Sequence, residues 1–287
     1  MKIKTLHLVN YCGYSDVTFD LNRGFTCLYG PNGCGKTTVL TAVSSLCSSM
    51  DFTSDAVTEE MRRKKFLEPN IKEGQKSFEV TGVFEHEGQD YEVILTHEGW
   101  KKNDILKQSW WWPGLTYFAK FDTETKSFCI HKDIWPKFKE AYEKIMGFEV
   151  EPDFYDDVDE RTLHKPTAER TVRGTYAINF WLNKSTGRIQ QPRASAGEKK
   201  VAKSLSQIVN LPQNRLPQIV LVDNLEMHVY SKRHLIMFEV IKDIFKNMQV
   251  LATSHSTIII EQYEPKTDLI DVEALIFKEN QNGIQVS

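Results

Sequence analysis

The chain has 287 residues and a formal net charge of −3, with 40% hydrophobic and 26% charged residues. This composition is typical of one large α/β domain or two small ones, and it argues against a disordered chain and a strongly basic, DNA-coating protein. The five cysteines are scattered and form no CxxC pair, and no apolar run approaches the ~18 residues that would cross a membrane, so a cytoplasmic protein without disulfides is expected.

Apolar periodicity predicts four elements in the first 50 residues. They are strands over residues 2–9, around residues 17–19 and over residues 25–29, followed by a helix over residues 39–46. The basic run Arg62–Lys65 is the clearest local patch for a nucleic acid, although four adjacent charges are more often a solvated helix face.

The middle of the chain predicts a different kind of structure. Residues 78–84 and 91–95 alternate between apolar and polar side chains around a short turn, which indicates an antiparallel hairpin. A strand over residues 115–121 and a helix over residues 136–146 follow, while the acid-rich stretch 150–172 gives no clear prediction.

The last 90 residues again show strong periodicity. The predicted elements are a helix over Glu198–Val209, a buried parallel strand over Ile219–Asp223, a helix over Arg233–Phe245, a second buried strand over Val250–Thr253, and a terminal hairpin that joins residues 274–277 to residues 284–286 through Asn282–Gly283.

A phosphate-binding loop follows the third strand. Gly30–Thr37 matches the pattern G-x-x-x-x-G-K-[ST], with a strand before it and a helix after it. The glycines let backbone N–H groups point at phosphate, the Lys36 ammonium would reach the β and γ phosphates of ATP, and the Thr37 hydroxyl would hold Mg²⁺. The predicted nucleotide contacts are Asn32, Gly33, Cys34, Gly35, Lys36, Thr37 and Thr38.

Two further groups are expected beside this loop. Asp223 ends the first buried strand and would bind Mg²⁺ through water, as a Walker-B acid does. His255 follows the next buried strand at the sheet edge where ligands bind, and it could hydrogen-bond the γ-phosphate.

The segment Ser195–Glu198 opens the helix that precedes the Walker-B strand. Its spacing predicts a capping box, in which the Ser195 side chain and the Glu198 side chain each bond the other's backbone N–H. A capped helix N-terminus that contains Gly197 is also a good site for a γ-phosphate presented by another subunit. The two interpretations are compatible.

Together these motifs resemble the ABC ATPases of the RecF, SMC and OLD (overcoming lysogenisation defect) group. The similarity lies in the opening strand through Asn10–Tyr11 to Gly30–Gly33, in the signature-like Ser195–Glu198, in Asp223–His228, which resembles D-E-x-[DE]-x-H, and in Ala252–Ser256, which resembles the H-loop. It covers roughly residues 1–50 and 190–262.

The resemblance implies an α/β fold, namely a two-lobed ABC head. A P-loop core with a parallel or mixed sheet (1–50) would be followed by an antiparallel β and helical insert (51–190) and by the signature, Walker B and H-loop (191–287). It also implies that ATP–Mg²⁺ is bound between one subunit's P-loop and the partner's signature residues Ser195, Gly197 and Glu198, in a homodimer or higher homo-oligomer.

Several positions depart from the family pattern. Cys12 stands where the family often has arginine, and Gln108 is only a candidate for the Q-loop glutamine. No coiled coil separates the P-loop from the signature, and the stretch after His255 is too short for a TOPRIM nuclease domain.

Asn224 stands where the family usually has the glutamate that orients the attacking water. An amide can position water but cannot accept a proton, so slow hydrolysis is expected. Glu226 could replace the missing glutamate, or it could be a first-turn helix acid favoured by the helix dipole. The catalytic candidates are therefore Glu226, Asn224 and His255.

The hypothesis that follows is an ATP-switched homodimeric ATPase that regulates a separately encoded effector, such as a nuclease or toxin, in phage defence or DNA repair. Nucleic-acid binding stays open, and no membrane contact is expected. The alternatives are an ATP sensor or scaffold that hardly turns over, suggested by Asn224, and an ABC transporter's nucleotide-binding subunit, which the Asp223–His228 sequence disfavours.

Overall fold

A computed structural model describes residues 1–47, 67–105, 108, 116–120, 130–159, 173–211 and 217–282. The basic run Arg62–Lys65 and the expected strand over residues 284–286 lie outside this part. Four of the cysteines, Cys12, Cys27, Cys34 and Cys47, are free thiols within it.

A five-stranded antiparallel sheet is formed within the first 105 residues. Its strands are β1 (Lys2–Tyr11), β2 (Tyr14–Asp20), β4 (Glu79–His86), β5 (Gln89–Thr96) and β6 (Gly99–Asn103), in the order β2-β1-β4-β5-β6. The predicted hairpin is confirmed as β4 and β5, in which Phe84 pairs with Tyr91. Alternate side chains of this sheet are buried, as expected when one face covers a core.

A second, parallel sheet positions the site. Its strands are β3 (Phe25–Tyr29), β7 (Thr116–Lys120), β12 (Ile219–Asp223), β13 (Gln249–Ser254) and β14 (Leu269–Asp271), in the order β14-β3-β13-β12-β7. All neighbouring pairs are parallel. Tyr29, Asp223 and Ser254 therefore end their strands at one edge, where parallel sheets bind ligands.

The parallel sheet is buried on both faces, which explains the unbroken apolar runs in its strands. Along β12, Val220 and Val222 belong to one hydrophobic core, whereas Ile219 and Leu221 belong to the other. The second core also contains the buried face of helix α1 (Lys36–Cys47) and the inner face of the antiparallel sheet.

A four-stranded antiparallel sheet packs with helices around the first core. Its strands are β8 (Ile130–His131), β9 (Glu149–Asp159), β10 (Arg173–Lys184) and β11 (Gly187–Gln190), and the helices are α2 (Trp135–Met146), α3 (Ala196–Val209), α4 (His234–Ile244) and α5 (Thr257–Gln262). The expected helical lobe thus includes a sheet. Bulges in β10 at Gly174/Tyr176 and Ala177/Asn179 break the alternation that would have revealed it.

The predicted terminal hairpin is wrong. Residues 274–277 belong to helix α6 (Val272–Asn282). Val272, Leu275 and Ile276 all contact the second core, at the i, i+3, i+4 spacing of a helix face. Tertiary packing therefore makes this segment helical, although the dipeptide Asn282–Gly283 favours a turn.

The α/β class predicted from the sequence, with a parallel sheet and separate antiparallel sheets, is confirmed. No helix in the described ranges is long and apolar enough to cross a membrane.

Candidate functional site

The P-loop joins the end of β3 to the start of α1. Gly33 and Gly35 have φ angles of 83° and 98°, in the left-handed region that glycine adopts without strain. The Lys36 ammonium donates 2.8 Å hydrogen bonds to the carbonyl oxygens of Gly30 and Pro31. The loop thus has the curled shape expected of a phosphate cradle, and its lysine is folded back over it.

Tyr14, in strand β2, packs against the P-loop. A Cβ atom at Gly35 would lie 2.5 Å from the Tyr14 hydroxyl oxygen, so only glycine fits there. The Tyr14 hydroxyl donates to the Cys34 carbonyl at 3.4 Å, and burial raises the pKa of this phenol above its ordinary value. Sequence reasoning missed Tyr14, and the only available signal was its place in the alternation of β2.

Asp223 accepts hydrogen bonds from two hydroxyl groups beside the P-loop. Its Oδ1 atom accepts hydrogen bonds from the Thr37 hydroxyl at 2.9 Å and from the Thr253 hydroxyl at 2.7 Å. The Thr253 Oγ1 atom in turn accepts from the Asn224 N–H at 2.8 Å. Thr253, which lies at the end of β13, was not among the predicted site residues.

The turn after β12 holds Asn224 and Glu226 in different ways. Asn224 has a φ angle of 53°, a left-handed conformation that asparagine adopts more readily than glutamate. The Glu226 Oε1 atom accepts from the His255 N–H at 2.5 Å, while its Oε2 atom is buried without a hydrogen-bond partner. The His255 residue itself is exposed.

The predicted capping box is present at the start of α3. The Ser195 N–H donates to Glu198 at 2.8 Å, and the Glu198 N–H donates to the Ser195 Oγ atom at 3.3 Å. The Lys184 ammonium lies 2.5 Å from the Glu198 carboxylate. Burial acts to raise the pKa of Glu198, but the Lys184 and Ser195 hydrogen bonds outweigh it and hold the pKa below its ordinary value.

Gly197 lies against the segment that follows the Walker-B strand. A Cβ atom at Gly197 would lie 3.2 Å from the His228 carbonyl oxygen, so a side chain there would force the two apart. Within the described residues, no hydrogen bond or ion pair joins Ser195, Gly197 or Glu198 to the P-loop of the same chain.

Gln108, the candidate Q-loop glutamine, makes no described contact with the P-loop. Its side-chain amide donates to the Asp104 carbonyl oxygen at 3.0 Å, just beyond β6. No contact in the described part of the chain brings Gln108 to the P-loop, so the Q-loop role stays a prediction.

A family model described as an AAA domain matches residues 5–285 of the chain. Among curated proteins, the DNA replication and repair protein RecF of Moorella thermoacetica is 26% identical over 98 residues, which are 34% of this chain and 24% of that protein. RecF of Salinibacter ruber is 43% identical over 54 residues, 19% of this chain and 13% of that protein. The chain therefore spans a quarter or less of these two relatives' length.

Solved structures of SMC heads have a similar fold. An SMC head bound to the C-terminal domain of ScpA from Pyrococcus furiosus has a TM-score of 0.60 at 11% identity, covering 98% of this chain and 99% of that one. An SMC head bound to the C-winged helix domain of ScpA has a TM-score of 0.58 at 13% identity, covering 91% of both chains.

Proposed function

The chain belongs to the AAA domain family, within the RecF and SMC group of ABC-class ATPases, and on that premise we propose that it binds ATP–Mg²⁺ at the P-loop, dimerises around the nucleotide and hydrolyses it slowly. The observation that carries the proposal is the convergence of Thr37, Asp223 and Thr253 at the carboxyl edge of the parallel sheet. Three chain segments far apart in sequence place two hydroxyls and one carboxylate beside a P-loop.

The oxygen atoms at this edge of the sheet are suitable ligands for Mg²⁺. Mg²⁺ prefers oxygen ligands and keeps several waters, so it needs only one or two protein groups plus the phosphates of its nucleotide. Thr37 and Asp223 are the residues that would hold it, directly or through water. When bound, the cation would neutralise charge that develops on the phosphates.

Lys36 and the loop amides would bind the phosphates. In the present arrangement the Lys36 ammonium closes onto two carbonyls of its own loop, and it would exchange these contacts for phosphate oxygens. An ammonium in that position, on the positive end of α1, favours a highly charged anion over a neutral ligand.

Glu226 is better placed than Asn224 to orient the attacking water. One Glu226 oxygen is fixed by the His255 N–H, and the other is buried without a partner, so it would accept a hydrogen bond from a water admitted to the site together with the nucleotide. Asn224 is instead suited to the left-handed turn, a backbone role that accounts for asparagine at this position. His255 would contact the γ-phosphate from the same edge.

The signature segment would bind the γ-phosphate of a second copy. Its capped helix N-terminus is a ready anion site, but no described contact brings it to its own P-loop. The phosphate would therefore join two chains, and nucleotide would favour the dimer by mass action.

The downstream role is proposed by analogy with relatives. The RecF proteins that match part of the chain are DNA replication and repair proteins, which supports a DNA-repair role. Control of a separate effector, such as a nuclease or toxin, in repair or in phage defence would use the nucleotide-dependent dimer as its switch. A hydrolysis-poor ATP sensor is the second candidate, favoured by Asn224 at the position of the usual glutamate.

The steady-state ATPase rate, measured beside ATP affinity, tests the proposal. Tight binding with turnover well below the ~10 s⁻¹ that is typical of enzymes supports a slow ATPase, and binding without any turnover supports the sensor. Absence of ATP binding would contradict both.

A further inference from the structure

His234 joins two loops of the candidate site. It opens helix α4 and is half-buried. Its Nδ1 atom lies 2.7 Å from the Ser256 hydroxyl oxygen, and its Nε2 atom lies 3.0 Å from the Val229 carbonyl oxygen. The two ring nitrogens thus bond to segments that follow two different strands of the parallel sheet, β13 and β12.

The hydrogen-bond network assigns the ring proton. A carbonyl oxygen only accepts, so Nε2 must carry the hydrogen that Val229 receives. The Ser256 hydroxyl can then donate to Nδ1, while its oxygen accepts from the Ile259 N–H at 3.4 Å and caps helix α5. A neutral imidazole therefore satisfies every group in this network.

Both bonded segments adjoin proposed nucleotide contacts. Ser256 directly follows His255, whose N–H is held by Glu226. Val229 directly follows His228, the residue against which Gly197 of the signature packs. A displacement of the His255 segment would therefore reach the signature segment through one rigid ring.

The neighbouring side chain, Arg233, anchors this link to helix α2. The Arg233 guanidinium donates to the Lys144 carbonyl oxygen near the end of α2, at 3.1 Å. From the same helix, the Tyr142 hydroxyl donates to the Glu198 carbonyl oxygen in the signature helix, at 3.2 Å. The start of α4 is thus fixed to α2, and α2 is fixed to α3.

We propose that His234 is the positioning residue that couples the segment after β13, which carries His255, to the segment after β12, which lies on the signature glycine Gly197. The proposal rests on the proposed function, because the coupling matters only if His255 and the signature both meet nucleotide. His234 itself does not touch ATP. It keeps the two contacts in register, so that binding of the γ-phosphate in this chain's own site by His255 is linked to binding of the second copy's γ-phosphate by the signature.

The two ring nitrogens can be separated by substitution. His234→Asn keeps a polar group at the position of Nδ1, within reach of Ser256, whereas His234→Gln keeps a donor at the position of Nε2, within reach of Val229. His234→Ala removes both contacts. Three measurements are made on each variant: ATP affinity by calorimetry, the single-turnover rate, and the mass of the protein with and without ATP–Mg²⁺.

The expected pattern is a loss of coupling without a loss of binding. His234→Ala should leave ATP affinity within about twofold, because Lys36 and Thr37 carry it. It should slow single turnover about tenfold, because the two hydrogen bonds that hold the site in register are lost. It should also weaken nucleotide-dependent association. Asn and Gln should each restore only part of the rate. Adding Ser256→Ala to His234→Ala should cost little more, since the two side chains act as one unit.

Matched controls separate this role from general stability. His131→Ala removes another half-buried histidine, in strand β8 of the four-stranded sheet, and should leave all three measurements unchanged. Melting temperatures show which variants are folded, and the Asn and Gln variants keep the test valid if the alanine variant unfolds.

Some results would overturn the coupling alone. Wild-type protein that binds ATP, and either hydrolyses it or associates, while the folded His234 variants match it, contradicts the role of His234. A multiplicative effect of Ser256→Ala and His234→Ala on the rate does the same. Wild-type protein that does not bind ATP, or neither hydrolyses it nor associates, overturns the proposed function first and the coupling with it.

Discussion

Thr37 and Asp223, 186 residues apart in sequence, meet in a hydrogen bond of 2.9 Å between the threonine hydroxyl and the carboxylate Oδ1 atom. Thr37 belongs to the P-loop helix α1, and Asp223 ends strand β12, which β13 separates from the P-loop strand β3. The bond therefore joins the P-loop to the Walker-B position across one intervening strand. These two side chains would hold a Mg²⁺ ion here, directly or through water.

Asp223→Asn should therefore weaken Mg²⁺-dependent ATP binding much more than Mg²⁺-free binding. The amide removes the negative charge that attracts the cation but keeps the size of the side chain. Calorimetric titration of ATP with and without Mg²⁺ measures the difference. Asp243→Asn, on helix α4, serves as the matched control, and equal losses with and without Mg²⁺ would contradict the cation role of Asp223.

Lys36→Ala should abolish measurable ATP binding. The ammonium is the charged group that neutralises phosphate in a cradle otherwise built from backbone dipoles. Calorimetry with Lys101→Ala as the control decides the matter, because Lys101 is an exposed lysine paired with Glu79 on the antiparallel sheet. An unchanged ATP affinity in the Lys36 variant would contradict the assignment of Gly30–Thr37 as the phosphate-binding loop.

Glu226→Gln should slow single turnover by at least ~10²-fold and leave ATP affinity intact, since it replaces the carboxylate that orients water by an amide. Glu261→Gln, an exposed acid at the end of α5, is the control. If turnover survives in the Glu226 variant, the water-orienting group lies elsewhere.

Asn224→Glu tests the other candidate directly. Because Asn224 has a left-handed φ of 53°, glutamate there should lower the free energy of unfolding by about 1 kcal/mol. It should not raise turnover if Glu226 already orients the water. An acceleration of ~10²-fold would instead show that position 224 is where the carboxylate is needed. Chemical unfolding and single-turnover rates on the same sample give both answers.

The Lys184–Glu198 ion pair should make the contribution of the signature helix to the free energy of unfolding depend on pH. The folded-state pKa of Glu198 lies below its ordinary value of 4.5, so its contribution to stability is present above that pH and is lost as the pH falls through the folded-state pKa. Glu198→Gln keeps a capping side chain and removes only the charge. The wild-type advantage in urea unfolding should shrink from pH 7 toward pH 3, and in a Lys184→Met background it should be smaller at pH 7. An advantage that does not depend on pH would contradict this role of the ion pair.

Much of the site geometry could be predicted because it is encoded locally. The glycines of the P-loop, the apolar strand ending in Asp223 and the Ser195–Glu198 spacing each specify a short structure whose neighbours are implied by parallel-sheet topology. Tyr14 could not be assigned in this way, because it contacts the P-loop from β2 and belongs to no motif. Thr253 lies in the H-loop-like segment Ala252–Ser256, but its hydrogen bond to Asp223 depends on the pairing of β12 with β13.

The wrong prediction at the C-terminal end and the missed strand β10 arise from long-range packing instead of local sequence. The segment 274–277 is predicted as a strand beside a turn dipeptide, but the buried Val272 and the partly buried Leu275 and Ile276 pack on the core as one helical face. The bulged strand β10 lost its alternation where Gly174 and Ala177 shift register. Long-range packing decides both segments, and a single sequence carries little of that information.

The mass of the Glu226→Gln protein with and without ATP–Mg²⁺ shows whether two copies of the chain share the nucleotide. We predict that ATP–Mg²⁺ doubles the mass of the protomeric unit and that adding Ser195→Arg prevents this, whereas Ser77→Arg, on the exposed loop before β4, does not. A mixture of Lys36→Ala and Ser195→Arg chains should associate where neither does alone, because one complete site can still form between an intact P-loop and an intact signature. Nucleotide-dependent association that is unchanged by Ser195→Arg would contradict the claim that two copies of the chain share the nucleotide.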